Sequence, residues 1–348
     1  MRIIIATVQV PFITGGAESH SAGLREALRA AGHEAEIIAI PFLSADPERI
    51  LDQMLACGLL DLSEVHGSKV DRVIALKFPA YLIPHPNKVV WLLHQHRAAY
   101  DLWDYPFEDL KASPQGLLGR EAIRRGDQQL LEAKAIFANS KNVADRLWRF
   151  CGIKSTPLYH PPPHADCFYT SREIGDYFFF PSRLSAPKRQ SLVIEALAAT
   201  TNPVRVRFAG LPDSSVYGQR LKDLAVTTGV ASRIEWLGFL TEEEKRKQYA
   251  ECLGVIFPPS DEDYGYVTLE AMLSSKPVIT CEDSGGPLEF VRPNDTGLVV
   301  EPWANMLAAA LDQLWEDRQL AADLGRHARQ AYRDLGLSWT DVVNRLTA

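Results

Sequence analysis

The sequence predicts an α/β protein of two successive doubly wound domains, each a parallel sheet covered by helices. Three observations predict it. Strand-like and helix-like patterns alternate along the chain. A length of 348 residues exceeds what one hydrophobic core comfortably fills. A proline-rich break, Pro157-Leu158-Tyr159-His160-Pro161-Pro162-Pro163-His164, interrupts the alternation, which then restarts.

The first array opens with a strand over 2–8, Gly15-Gly16 as a turn, and a helix from about Glu18 to Ala31 that Gly32 closes. A strand over 34–40 follows. Shorter apolar runs at 72–76, 88–93 and 135–138 read as further strands, the last leading through Asn139-Ser140 into a helix near Asn142. The linker falls between about 160 and 173. The second array has strands at 177–181, 204–209, 233–237, 254–258 and 277–280, with helices near 187–199, 217–228, 241–250 and 266–274. Residues 304–348 read as helical, and Trp339, Val342 and Val343 suit packing back on the first domain. The expected division is 1–165, 166–325, and a helical segment over 326–348 that crosses back. In such folds ligands bind outside the carboxyl ends of the strands, so chemistry is sought in the strand-to-helix loops.

A net charge of −7 argues against nucleic acid as the main partner, because phosphate binding needs a basic surface. Arg120, Arg124 and Arg125 form one local basic run, read as a solvated helix face or as a patch facing membrane or substrate. The cysteines Cys57, Cys151, Cys167, Cys252 and Cys281 are scattered and odd in number, which points to reduced thiols rather than a disulfide framework or zinc site. The apolar start, Met1 to Ala6, is interrupted by Gln9 and Pro11 and reads as a buried strand, not a signal peptide. No stretch reaches the roughly 18 apolar residues of a membrane span, so the expected membrane contact is peripheral.

The sharpest chemical signal runs from Ser260 to Met272. It follows an apolar strand and starts a helix near Gly265. Unpaired amides at a helix start, here Gly265, Tyr266 and Val267, suit a diphosphate. Glu262 lies in the loop and Glu270 about a turn inside the helix, where carboxylates can accept hydrogen bonds from sugar and ribose hydroxyls. Alone, two such glutamates are usually solvated capping charges. A second constellation, Phe180 to Lys188, ends the second domain's first strand and offers Arg183 and Lys188 as counter-charges. In the first domain, Gly15 and Gly16 let backbone approach a ligand. His94, with His96 and Arg97 beside it, follows the apolar run Val89–Leu93. His20 reads as packing, and Ser140 as structural.

Together these segments resemble retaining GT-B glycosyltransferases, glycosyltransferase family 4 (glycosyl transferases group 1). Glu262 to Glu270 looks like the family's E-x7-E motif. The likeness extends through Lys276-Pro277-Val278-Ile279, Asp283 to Glu289 and Thr296-Gly297-Leu298-Val299. Arg183 to Lys188 resembles the family's strand–G-R-L–x–x–x–K turn, with Ser182 in place of the usual glycine. The resemblance implies two Rossmann-like domains facing across a cleft. It implies a catalytic set of His94, Arg183, Lys188 and Glu262. Donor contacts would come from Gly15, Gly16, Arg183, Lys188, Gly265, Tyr266, Val267 and Glu270, with ribose on Glu270 and sugar on Glu262. His96 and Arg97 are candidates for acceptor or phosphate contact. The reaction implied is transfer of a hexose from a UDP- or GDP-sugar to an acceptor hydroxyl, with retention and without metal or cofactor. A glycan or lipid-linked acceptor and a cytoplasmic setting, with peripheral contact at the inner face of a membrane, complete the expectation.

Three other readings compete. Asp261-Glu262-Asp263 satisfies D-x-D, a metal-binding motif of the other major glycosyltransferase fold. Gly15-Gly16 could belong to a dinucleotide site, but the full G-x-G-x-x-G pattern is missing. A catalytically silent GT-B protein that binds nucleotide sugar or glycan would keep the fold without the turnover.

Overall fold

The computed structural model describes residues 1–13, 15–43, 49–104, 110–112 and 114–348. The chain divides into two units, Met1–Pro163 with Ser338–Ala348, and His164–Leu337. Each is built on a parallel six-stranded sheet.

In the first unit the apolar runs become β1 (Arg2–Gln9), β2 (Glu34–Pro41), β5 (Arg72–Ala75), β6 (Lys88–Leu92), β7 (Ala135–Ala138) and the short β8 (Thr156–Pro157); β3 (Glu64–Val65) and β4 (Ser68–Lys69) form a separate antiparallel ribbon. The sheet order is β2-β1-β5-β6-β7-β8. Strand β1 is apolar from Ile3 to Ala6 because both of its faces are covered there. Ile4, Ala6 and Val8 enter one core, and Ile3 and Ile5 the other. Helix α1 (Gly16–Ala30) lays Leu24 and Leu28 into the second core. Helices α2 (Arg49–Leu59), α3 (Pro114–Gly126) and α4 (Lys141–Cys151) cover the other face with Ile50, Ile123 and Leu147. The Ser140 hydroxyl accepts from the Val143 amide at 3.0 Å and caps α4.

The second unit repeats the plan. Its strands are β9 (Phe178–Pro181), β10 (Val206–Ala209), β11 (Ile234–Gly238), β12 (Gly254–Ile256), β13 (Val278–Cys281) and β14 (Gly297–Val300), in the order β11-β10-β9-β12-β13-β14. Helices α5 (Gln190–Ala199), α6 (Ser215–Thr227), α7 (Glu242–Glu251), α8 (Tyr266–Leu273), α9 (Ala304–Glu316) and α10 (Arg318–Asp334) complete it. Phe178, Phe179 and Phe180 are fully buried at its centre, beside Phe208 and Phe257.

Residues 326–337 stay with the second unit, as the end of α10 and the turn after it. Gly325 lets α10 sit directly on the chain after α8; a Cβ there would lie 2.1 Å from the Ser275 carbonyl oxygen. Helix α11 (Trp339–Thr347) instead belongs to the first unit, where Val342, Val343 and Leu346 are buried with Ile3, Leu24 and Trp91. Arg72 clamps its last turn, donating to the carbonyls of Leu346 at 2.7 Å and Ala348 at 2.9 Å, a cation where the helix leaves acceptors unpaired.

The basic run lies on α3. Arg120 stacks 3.9 Å from the Trp103 ring centroid and donates to the Ala99 carbonyl at 3.0 Å, so part of it serves packing. All five cysteines are free. Among the described residues no helix is long and apolar enough to cross a membrane.

Candidate functional site

Three loops of the second unit leave the carboxyl ends of β9, β12 and β13 and are laced together by backbone hydrogen bonds. The Ser260 amide donates to the Pro187 carbonyl at 2.7 Å, joining the first two. Asp261 and Glu262 donate to the carbonyls of Asp283 and Ser284, both at 2.9 Å, and the Gly286 amide returns to Glu262 at 2.7 Å. Gly286 must be glycine for this approach, because a Cβ would lie 2.7 Å from the Tyr264 carbonyl oxygen. Arg189 closes the arrangement from the side, gripping both oxygens of Asp283 at 2.7 and 2.6 Å.

On this frame Lys188 contacts Glu262, and its ammonium lies 5.5 Å from the Phe257 ring centroid. A half-buried cation and carboxylate therefore meet where α8 begins. Gly265 precedes that helix at φ +88°, a conformation that favours glycine, and has no side chain to cap the first amides. Arg183 is more exposed and pairs with Asp213 at 3.0 Å, while its carbonyl accepts from Gln190 at 3.0 Å. Ser182 keeps its place in the loop by donating its amide to Ala209 at 2.8 Å.

Glu270 is 5% exposed, and burying a carboxylate is costly unless it is paired and hydrogen-bonded. Both needs are met from α7. The Lys245 ammonium lies 3.1 Å from Oε1, and the Tyr249 hydroxyl donates to Oε2 at 2.6 Å. Burial pulls the Lys245 ammonium down, but Glu270 and Glu242 outweigh it and leave its pKa raised. Burial and then the Glu270 charge push the Tyr249 and Tyr266 hydroxyls upward. A carboxylate offers about four lone-pair positions, so these two contacts leave acceptor capacity for a ligand hydroxyl. Sequence reading missed Lys245 and Tyr249. The available signal was their four-residue spacing, which places both on one face of a helix.

The first unit holds the remaining candidates at the carboxyl ends of β1 and β6. The Gly15 amide is capped by the Glu18 carboxylate at 2.8 Å, and Lys77 lies 3.7 Å from the same side chain. Gly16 opens α1. His94 is half-buried, its Nδ1 2.7 Å from the Gln95 carbonyl. His96 points elsewhere, packed edge-on against Phe42 and Phe78, and burial holds its pKa down to about 4. Arg97 is committed to Asp101, with Nε at 2.8 Å. His20 packs against Trp91, His160 and Trp339, as a core residue. Among the described residues no group of three or more His, Cys, Asp or Glu is arranged to hold a metal ion.

Two six-stranded parallel sheets, each carrying its candidates at strand ends, define the GT-B class of α/β protein. Sucrose-phosphate synthase from Thermosynechococcus elongatus shares this fold over 100% of the chain and 98% of its own, with a TM-score of 0.80 and 17% identity. Anabaena HepE in complex with UDP-glucose does so with a TM-score of 0.73 and 17% identity, over 100% and 98% of the two chains. Residues 169–331 match the family described as glycosyl transferases group 1, and the second unit carries a domain of that family. The alpha-1,3/1,6-mannosyltransferase of Dictyostelium discoideum is 33% identical over 125 residues, 36% of this chain and 30% of that protein. The chain spans between about a third and a half of the curated relatives it matches.

Proposed function

We propose that the chain is a retaining hexosyltransferase that uses a nucleoside-diphosphate sugar and no metal. The observation that carries this reading is the Lys188–Glu262 contact at the start of α8, within a glycosyl transferases group 1 domain. Here Lys188 and Arg183 take the diphosphate, with the amides of Gly265, Tyr266 and Val267 adding the positive end of the helix. Glu270, steadied by Tyr249 and Lys245, accepts from the ribose hydroxyls. Glu262 faces the sugar.

In the proposed reaction the bond between the anomeric carbon and the diphosphate oxygen breaks, and the leaving nucleotide keeps the electron pair. The acceptor oxygen bonds to the same face of that carbon, and its proton passes to the departing phosphate. Lys188 and Arg183 stabilise the charge that develops there. His94 supplies the first unit's contact to the donor sugar, while Gly15 and Gly16 offer backbone to donor phosphate or acceptor. His96 and Arg97 are less suited to their expected roles, being held by aromatic rings and by Asp101 respectively.

UDP- and GDP-sugars are the donors we favour, and UDP-glucose held by a protein of the same fold supports the first. The acceptor class proposed is a glycan or lipid-linked saccharide of polysaccharide, lipopolysaccharide or glycoconjugate synthesis, met in the cytoplasm or at the inner face of a membrane. A thermal-shift screen of UDP, GDP and ADP and their sugar conjugates, with and without EDTA, tests the donor site. At 100 times its Kd a ligand stabilises the fold by about 2.7 kcal/mol. A shift indifferent to EDTA, followed by transfer with retained anomeric configuration, is expected. A shift abolished by EDTA restores the D-x-D reading, and binding without transfer or donor hydrolysis across an acceptor panel identifies a silent binder.

A further inference from the structure

At the amino ends of β12 and β13, opposite the loops just described, the second unit contains a groove of about 790 Å³ between α10 and the chain around Ser274 to Lys276. It is lined by five cations, Lys276, Arg318, Arg326, Arg329 and Arg333, in a chain whose net charge is −7. Arg318 pairs with Asp176 and Arg326 with Asp323. Arg329 and Arg333, one helical turn apart, form no ion pair among the described residues. Lys276 is the more telling group. It is 4% exposed and lines the groove, and its ammonium forms no ion pair among the described residues. Burial lowers its pKa; of the groups that counter this, the Glu251 carboxylate is beyond ion-pair reach and is 3.9 Å from Lys247. Beside it the fully buried Ser274 hydroxyl oxygen also lacks a partner. A hydroxyl buried without a partner is costly unless something else satisfies it, and the mostly buried ammonium beside it opens to the same basic groove.

We propose that this groove is a second anion site, taking a phosphate or diphosphate group on Lys276, Arg329 and Arg333, with Ser274 as a further hydrogen-bond donor. It is separate from the proposed donor site, at the opposite ends of the strands of the same sheet. Two sources offer this chemistry, a free phosphorylated solute and a lipid headgroup, and two probes tell them apart.

Binding of inorganic pyrophosphate is measured by calorimetry at low salt on the wild-type chain, on R329Q/R333Q, on R183Q/K188Q and on the two combined. R183Q/K188Q removes the donor-site cations. Cosedimentation with vesicles of phosphatidylcholine and phosphatidylglycerol is measured on the same four proteins. Both groove arginines are on the surface of α10, and the melting temperature of R329Q/R333Q verifies its fold. We expect pyrophosphate binding that persists in R183Q/K188Q and weakens about tenfold or more when R329Q/R333Q is added to that variant. Vesicle binding lost in R329Q/R333Q, without pyrophosphate binding, assigns the site to a lipid headgroup. If the combined variant matches R183Q/K188Q with both probes, or if R183Q/K188Q alone abolishes all anion binding, the proposal is overturned.

Discussion

Lowering the pH from 7.5 to 5.5 should destabilise the first unit selectively. His20 and His160 are each 1% exposed, with Nδ1 of one 3.0 Å from Nε2 of the other. Burial, and then Lys77, brings His20 down to about 3; burial, and then His20, holds His160 well below its ordinary value. His96 is down to about 4, first through burial and then through His94. An unfolded histidine titrates near 6.5. As the pH falls through that value the unfolded chain gains protons that the folded chain refuses. The stability present above pH 6.5 is therefore lost progressively toward pH 4 to 3. At pH 5.5 the loss is about 1.4 kcal/mol per histidine, or about 4 kcal/mol for three. Asp127 acts in the opposite sense. Burial raises it to about 6 against hydrogen bonds from Tyr100, Tyr81 and Gln95, so the folded state protonates first and gains about 0.8 kcal/mol at pH 5.5. The net expectation is a loss of about 3 kcal/mol. Urea unfolding at the two pH values, followed by tryptophan fluorescence from Trp91 and Trp339, measures it. A His20→Asn/His160→Asn chain should lose about 2.5 kcal/mol less between the two pH values than wild type does. If both lose the same amount, the histidine pair is not the cause and the reasoning is refuted.

Four further outcomes concern the proposed donor site. Glu270→Ala should weaken nucleotide affinity about tenfold or more, and should also cost about 1–3 kcal/mol in denaturant unfolding, because it leaves the buried Tyr249 hydroxyl without its acceptor while Lys245 keeps Glu242 at 3.0 Å. Tyr249→Phe should keep the fold and raise the nucleotide Kd, since it frees one oxygen of Glu270 to wander; an unchanged Kd would remove Tyr249 from the site. Lys188→Ala should lower kcat about 10²- to 10³-fold with a smaller effect on nucleotide binding, measured by steady-state kinetics and calorimetry. His94→Ala should reduce transfer more than nucleotide affinity, and wild-type turnover would exclude it from the mechanism.

What sequence could reveal followed from how local each signal was. The central strands were legible because sheets buried on both faces demand unbroken apolar runs, as in Phe178–Phe180 and Val89–Leu92, whereas the edge strand β14 and the ribbon β3–β4 were not read. The turn at Gly265 was legible because the helix pattern restarts directly after it. Helix α3 was legible only through its charged face at Arg120, Arg124 and Arg125, since its buried face is formed by Gly116, Gly119, Ile123 and Gly126, three of them poor helix formers. Strand β8 was hidden by Pro157, which only a sheet edge tolerates. Within the site, Glu262 and Lys188 were marked by their loops, but their contact spans 74 residues and is set by the sheet order. Lys245 stands within a run of charges, Glu242 to Lys247, and nothing local shows that Glu270 lies buried behind it. The His20–His160 pair, 140 residues apart, is likewise a product of topology alone.

The place of α11 in the first unit has a consequence for the order in which the protein can be made. Residues 1–163 leave the ribosome first, but their second core lacks Trp339, Val342, Val343 and Leu346. All of His164–Leu337 must be translated before those side chains exist, an interval on the order of ten to thirty seconds at about 5–20 residues per second. During that time Leu24, Leu28 and Trp91 are without the cover that α11 provides. The second unit is contiguous and has everything it needs as soon as it emerges. The half that begins synthesis is thus the half that finishes folding last, and it is the one a holding chaperone would have most reason to bind.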